Sequence, residues 1–397
     1  MNTNDKIFVA GGTGLAGSAI IRGLLKNGFT NVVASYHLSK PDRDFEKTEA
    51  GAQVCRFVKI NLLEPAEVKD FFARESPLYV FLAAAKVGGI MANHTYRAQF
   101  IYENLQIQNN VIHNSYLNKV KKLIFLGSTC IYPFEAPQPM KEMCLMTGAL
   151  EYLSEPYGVA KIAGIKMCES YNLQYGTNFI SVMPTNLYGP NDNYDLNNSH
   201  FLPAFIRKMH LGKSLMEDDL AAIRIDLNKN PVNGLNGTAS DVQIVELLKS
   251  YGITKTAGGK KVNILLWGTG KPRREILHSN DLADACIYIM KNIDFEDLHK
   301  ISPSQYSEGL VKEEIRNTQI NIGTGADNSI FETALIVKEV VGYTGDIIWD
   351  HNMPDGTTQK LTDVSRLTAL GWEKSITLHQ GLQDTYSFYT GKKTQSI

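Results

Sequence analysis

The chain has 397 residues, which suits two domains, or one large α/β domain with an appendage. Apolar residues make up 43% and charged residues 20%, a balance that excludes wholesale disorder. The 40 Lys and Arg are matched by 41 Asp and Glu, so the basic excess of a general nucleic-acid binder is missing, and no apolar run approaches the ~20 residues of a membrane span.

The first unit in chain order is strand, glycine turn, helix. Lys6–Ala10 is a β-rich run, Gly11 to Gly17 reads GGTGLAG, and Ser18–Asn27 carries Ile20, Ile21, Leu24 and Leu25 at helical spacing. Strands are predicted at Asn31–Ser35, Gln53–Ile60, Tyr79–Ala83, Lys122–Leu126 and Phe179–Met183. Helices are predicted at Ala66–Glu75, about Tyr96 to Leu117, and Pro156–Gln174. Strands alternating with helices specify a parallel, doubly wound α/β sheet of the Rossmann type.

After Pro184 the alternation becomes irregular, so a smaller substrate domain is expected. Residues 1–185 form the first domain, with returning segments at about 276–293 and 318–325. Residues 186–275 and 326–397 form the second. Within it, 217–258 is mostly polar, with one amphipathic helix near Val242–Tyr251. Asn228–Ser240 reads as a mobile loop.

The five cysteines are odd in number and widely spaced, with no C-x-x-C, which argues against a disulfide framework or a metal site. The N-terminus MNTNDKIFVA lacks a basic segment followed by an apolar one, so a cytoplasmic location is expected.

Gly11, Gly14 and Gly17 lie between a strand and a helix, where glycine lets the backbone approach a pyrophosphate and the helix N-terminus offers free N–H groups. The second strand ends Ala34-Ser35-Tyr36-His37, with Lys40 following. No acid is present to grip the ribose hydroxyl of NAD, and a His and a Lys are near, which favours NADP. Tyr157 and Lys161 are four residues apart on a predicted helix and so share a face. An ammonium near a phenol is expected to lower the phenol pKa. Ser128 follows a strand end, where such sheets meet their ligands.

These pieces together resemble the extended short-chain dehydrogenase/reductase superfamily. The finer motifs resemble its GDP-L-fucose synthase family: LAAAKVGGI (82–90), FIYEN (100–104), FLGSTCIYP (125–133), EPYGVAKIAGIKMCESYN (155–172), SVMPTNLYGP (181–190), NSHFLPAFIRK (198–208), WGTGKPRRE (267–275), INIGTG (320–325) and PDGTTQKL (354–361). The resemblance implies NADPH-dependent 3,5-epimerisation and 4-reduction of GDP-4-keto-6-deoxy-mannose. It assigns Ser128, Tyr157 and Lys161 to reduction, and Cys130 and His200 to proton exchange at carbons 3 and 5. Gly11, Gly14, Leu15, Gly17, His37, Asn61, Leu62, Ala83, Ala84 and Lys161 would hold NADP(H). Asn186, Lys208, Trp267, Arg274 and Lys360 would hold the GDP-sugar. It also implies a homodimer through the helices near 100–117 and 157–174. The Ile107 and Val111 spacing leaves an apolar stripe there that serves either a partner or the core.

The chemistry suits these residue types. A ketone at carbon 4 acidifies carbons 3 and 5, and each inversion needs a base and an acid, which a thiol and an imidazole supply near neutrality. Three departures from the family pattern stand out: a longer loop after the second strand without the family's arginines, an insertion at 217–258, and Lys208 where the family has an arginine. The insertion lies beside the sugar-nucleotide motifs, so the same chemistry, or its reduction step alone, on a related GDP-4-keto-6-deoxy sugar such as a heptose is the alternative. A non-catalytic NADP-binding regulator is a further reading, and the intact set of five reactive residues argues against it.

Overall fold

In the computed structural model, seven parallel strands form the central sheet. The structure describes residues 1–38, 41, 55–259, 261–302, 305–306, 313–353 and 355–391. Six of the strands are β1 (Ile7–Ala10), β2 (Val32–Tyr36), β3 (Cys55–Lys59), β4 (Tyr79–Leu82), β5 (Lys122–Leu126) and β6 (Phe179–Pro184). The seventh is Ile320–Ile322, and the order is (Ile320–Ile322)-β6-β5-β4-β1-β2-β3. Strand order reverses between β1 and β4, and in open parallel sheets ligands bind beyond the strand ends at that point.

Both sheet faces are covered, and the side chains of β1 alternate between them. Ile7 and Val9 join a cluster with Ile20 and Leu24 of α1 (Leu15–Lys26) and with Leu282, Cys286 and Met290 of the helix Ser279–Asn292. Phe8 and Ala10 join a cluster on the opposite face. Its helices are α2 (Pro65–Glu75), α4 (Arg97–Leu117) and α5 (Glu155–Tyr175); a short α3 (Ile90–Thr95) precedes α4. The helix expected from about Tyr96 to Leu117 is α4, with Tyr96 as the residue between it and α3. Val111 is fully buried and Ile107 packs against the same cluster, so that stripe serves the core.

The chain divides into two compact units. The first holds Met1–Leu187, Ile276–Gly325 and Leu361–Ile376; the second holds Tyr188–Glu275, Ala326–Lys360 and Thr377–Ile397. Leu361–Ile376 thus leaves the segment expected to stay with the second domain. The Met140 amide donates to the Leu361 carbonyl at 2.8 Å, and Arg366 donates to the carbonyls of Asn317 and Gln319.

The second unit carries α6 (Phe201–Met216), α7 (Leu220–Lys229) and α8 (Asp241–Ser250), with a three-stranded sheet of Ile253–Lys255, Val262–Trp267 and Asp346–Asp350. The predicted amphipathic helix is α8, opened by a reciprocal cap between Ser240 and Gln243. The loop expected to be mobile is instead pinned. Arg224 donates to the Gly237 and Ala239 carbonyls, each at 2.6 Å, and the Gly237 amide donates to Asn228. Helix α7 escaped the sequence reading because one of its buried positions is an acid, Asp226, between Ile223 and Leu227. Among the described residues no helix is long and apolar enough to cross a membrane.

Candidate active site

At the end of β1 the backbone turns through Gly11 at φ +83°, and a Cβ there would lie 2.8 Å from Ala84 Cα. Only glycine lets the ends of β1 and β4 approach this closely. A Cβ on Gly17 would meet the Gly11 carbonyl at 2.1 Å, so this glycine seats α1 against the turn. At Gly14 the nearest atom to an added Cβ is that carbonyl at 3.7 Å, which leaves the helix N-terminus open. Gly14 makes no side-chain cap and the first turn of α1 carries no acid. The first amides, beginning at Leu15, have no intrahelical partner and a positive dipole end behind them, a cradle that fits a pyrophosphate. Ser35, buried at the end of β2, clamps the turn: its Oγ accepts from the Gly11 amide at 2.9 Å and its carbonyl from the Gly12 amide at 2.8 Å.

The other residues expected along the cofactor lie in the same unit. Ala83 and Ala84 follow β4, with the Ala83 amide bonded to the Ala10 carbonyl. Asn61 and Leu62 follow β3; the Leu62 carbonyl accepts from buried Asn110 at 2.9 Å. His37 follows β2 and is exposed. Lys40 lies outside the described residues.

One strand over, β5 leads into a 3-10 turn, Thr129–Ile131, capped by Ser128, whose Oγ accepts from the Cys130 amide at 3.3 Å. Helix α5 brings Tyr157 and Lys161 to this turn. A Cβ on Gly158 would sit 2.7 Å from the Cys130 carbonyl, so the missing side chain is what allows the helix to come this near. The Ser128 hydroxyl lies near the Tyr157 phenol and favours its ionised form. Lys161 is buried, donates to the Leu126 carbonyl at 2.7 Å, and has its ammonium 5.7 Å from the Tyr157 ring centre.

The expected lowering of the phenol is not what this arrangement produces. Burial raises the Tyr157 pKa, proximity to Cys130 raises it further, and the Ser128 hydroxyl offsets part of the rise. Lys161 is pushed down to about 7 by burial, so it is only partly charged at neutrality and its proton points at a carbonyl. A phenol of high pKa stays protonated at neutral pH, which suits a proton donor.

Two contributors escaped the sequence reading. Phe100 sets its ring edge-on to Tyr157, with 6.4 Å between centres. Asn104, buried on α4, donates to the Lys86 carbonyl and accepts from the Lys86 amide, both at 3.0 Å, and so fixes the segment after β4. The signal was present: Phe100, Asn104, Ile107 and Val111 share one apolar stripe, and a polar residue on such a stripe usually has a buried partner.

Asn186 follows β6 in the first unit. The remaining expected residues belong to the second unit. His200 caps α6 through its backbone and spends no side-chain bond on the cap. It is exposed, yet the protein around it desolvates the ring enough to lower its pKa from the ordinary value. Lys208, two turns further along α6, donates to the Leu265 carbonyl at 3.1 Å and is pushed down to about 8 by burial. Trp267 ends the same strand as Leu265 and is 58% exposed. Arg274 and Lys360 are direct neighbours on paired strands. Arg274 donates to the Thr357 carbonyl at 2.6 Å and to the Arg273 carbonyl at 2.8 Å, and burial lowers its pKa. Two partly buried cations side by side, one satisfied by carbonyls, can receive phosphate oxygens.

The NAD dependent epimerase/dehydratase family model matches residues 7–224 and 244–301 and passes over 225–243. GDP-L-fucose synthase 1 of Arabidopsis thaliana is 44% identical over 384 residues, 97% of this chain and 93% of the relative. Among solved structures, a GDP-6-OMe-4-keto-L-xylo-heptose reductase from C. jejuni is 44% identical with a TM-score of 0.82, covering 98% of this chain and 99% of that one. A GDP-mannoheptose C4 reductase from Campylobacter jejuni with NADP bound is 43% identical with a TM-score of 0.76, at the same coverage.

Proposed function

The chain belongs to the NAD dependent epimerase/dehydratase family, and we propose that it converts GDP-4-keto-6-deoxy-mannose to GDP-L-fucose with NADPH. It is an NADP-dependent oxidoreductase that epimerises carbons 3 and 5 and reduces carbon 4. The observation that carries this reading is the turn Ser128–Ile131. It sets the Ser128 hydroxyl and, two residues on, a thiol that reduction does not need, close enough to act on the Tyr157 phenol.

The Gly11–Gly17 turn and the α1 N-terminus hold the cofactor pyrophosphate, and Leu15, His37, Asn61, Leu62, Ala83 and Ala84 line its path. Bound NADPH supplies the hydride for carbon 4. Ser128 orients the carbonyl oxygen, and Tyr157 delivers a proton to it as it gains charge. Lys161 holds the base of the site through the Leu126 carbonyl. Cys130 and His200 form the acid/base pair for carbons 3 and 5, one removing and one delivering a proton through an enolate. Arg274, Lys360 and Lys208 neutralise the diphosphate, Asn186 bonds the sugar, and Trp267 stacks on the nucleoside.

Product identification after incubation with NADPH and the 4-keto sugar tests the reading. GDP-L-fucose is expected, with deuterium from solvent at carbons 3 and 5 that is lost in Cys130→Ser. Reduction without any wash-in overturns the epimerase half. A second reading, the same chemistry or its reduction step alone on a GDP-4-keto heptose, is favoured by the 44% identity to the C. jejuni heptose reductase over 99% of that chain. The heptose substrate in the same assay separates the two.

We also propose a cytoplasmic homodimer. All five cysteines are free, as a reducing compartment keeps them. Tyr116 of α4 stacks on Tyr175 of α5, with 4.3 Å between centres, and Leu117 of α4 and Leu173 and Tyr175 of α5 are exposed apolar side chains at the ends of these helices. Sedimentation of the purified chain at twice its monomer mass is expected.

A further inference from the structure

Residues 225–243, over which the family model passes, contribute bonds to the segment that leads into His200. Asn197, three residues before His200, belongs to a closed ring of three side-chain hydrogen bonds. Tyr251 donates to Asn197 Oδ1 at 2.7 Å, Asn197 donates to Asn233 Oδ1 at 3.3 Å, and Asn233 donates to Tyr251 at 3.1 Å. Asn197 is itself fixed by an Asp195 carboxylate that accepts the amides of Asn197 and Asn198 at 2.8 and 2.9 Å.

A second tie runs below the ring. Arg207 of α6 is fully buried. It donates to the Tyr194 carbonyl at 2.9 Å, to Asp226 of α7 at 3.0 and 2.8 Å, and to the Asn230 carbonyl. Tyr389 donates to the other oxygen of Asp226. The loop from Tyr194 to Asn197 is therefore tied to the insertion directly at Asn197 and, through Arg207 of α6, at Tyr194, and His200 follows three residues after Asn197.

We propose that the 217–258 insertion is a brace that positions His200, with Asn233 and Tyr251 as positioning residues. This rests on the reading above, in which His200 moves a proton at the keto sugar. The Ser199 amide, next to His200, donates to the Asp195 carbonyl at 2.9 Å, so the braced loop runs up to His200, whose ring makes no cap bond on α6. A group misplaced by about 1 Å costs up to about 10²-fold in rate, and a brace at the loop removes that freedom.

The test is the double variant Asn233→Ala/Tyr251→Phe, whose sites are exposed in the ring of bonds, so folding and NADPH binding are checked first and should match the parent. Two quantities are then read. One is deuterium wash-in at carbons 3 and 5 of the keto sugar. The other is the imidazole resonance of His200 in histidine-labelled protein, assigned by its loss in His200→Asn. A roughly ten-fold loss of wash-in together with a shifted His200 resonance supports the brace. An unmoved His200 resonance overturns it, whatever happens to wash-in. A shifted resonance in a protein whose parent never shows wash-in supports the brace and instead defeats the epimerase reading.

Discussion

Arg273 and Arg274 stand next to each other in one strand and are satisfied in opposite ways. Arg273 is paired with Asp327 at 2.8 Å and Glu332 at 3.5 Å, and these acids raise its pKa. Arg274 donates to two carbonyls and its pKa is lowered by burial. The same contrast separates the two units at a larger scale. In the first, the reactive groups are locked by the sheet and α5, with Lys161 and Tyr157 desolvated. In the second, Lys208 and Arg274 rest on neutral backbone oxygens. A cation held by carbonyls gains more from an arriving phosphate than one already neutralised by a carboxylate. The first unit is thus assembled for chemistry, and the second is poised for an anion.

The largest effect should come from the assembled side. Tyr157→Phe removes the proton donor, and NADPH oxidation should fall at least ~10²-fold with the fold retained. Near-normal turnover would show that the phenol is not the donor.

The poised side should respond in binding. Arg274→Ala is expected to raise KM for the GDP-sugar by about ten-fold or more, the scale of a charged hydrogen bond. Arg273→Ala should leave KM near the parent value. Equal effects from the two would dissolve the contrast between them.

A smaller effect probes how tightly the first unit is built. Gly158→Ala places a methyl against the Cys130 carbonyl and should cost about 1–3 kcal/mol by thermal or denaturant unfolding, with reduced turnover. An unchanged midpoint would mean that the turn and α5 separate easily.

The smallest follows from proton linkage at Lys161. Its folded pKa of about 7 lies below its unfolded value of 10.5, so between these pH values the unfolded state binds more protons, and stability rises with pH across that window. The melting temperature of the ligand-free protein should increase from pH 7 to pH 8.5, and the increase should shrink in Lys161→Met. Lys208, pushed down to about 8, contributes with the same sign and keeps part of the increase in that variant.

The first unit was legible because its signals are local. Alternating apolar strands, a glycine turn and a Tyr-Lys pair at helical spacing each report on neighbours within a few residues. The predicted strand Lys122–Leu126 and helix Pro156–Gln174 fall on β5 and α5 for that reason. The protonation states were not legible, since they depend on burial: the Tyr157 phenol goes up and not down. The second unit was read through resemblance; its insertion and the helix α8 were legible, while α7 and the ion pair beneath it escaped. Arg207 and Asp226 are 19 residues apart and look like surface charges in sequence, while in the fold they form a core contact.

That ion pair makes the insertion hard to remove. Excising α7 would strip Arg207 of Asp226 and the Asn230 carbonyl and leave a guanidinium fully enclosed, at a cost of about 3–5 kcal/mol. Grafting the insertion onto a shorter relative would in turn enclose Asp226, unless an arginine and a tyrosine were supplied at the places of Arg207 and Tyr389. Residues 207, 226 and 389 therefore constitute one structural unit spread over three distant stretches of chain. Transfer of the insertion into another chain should succeed only when all three are transferred together.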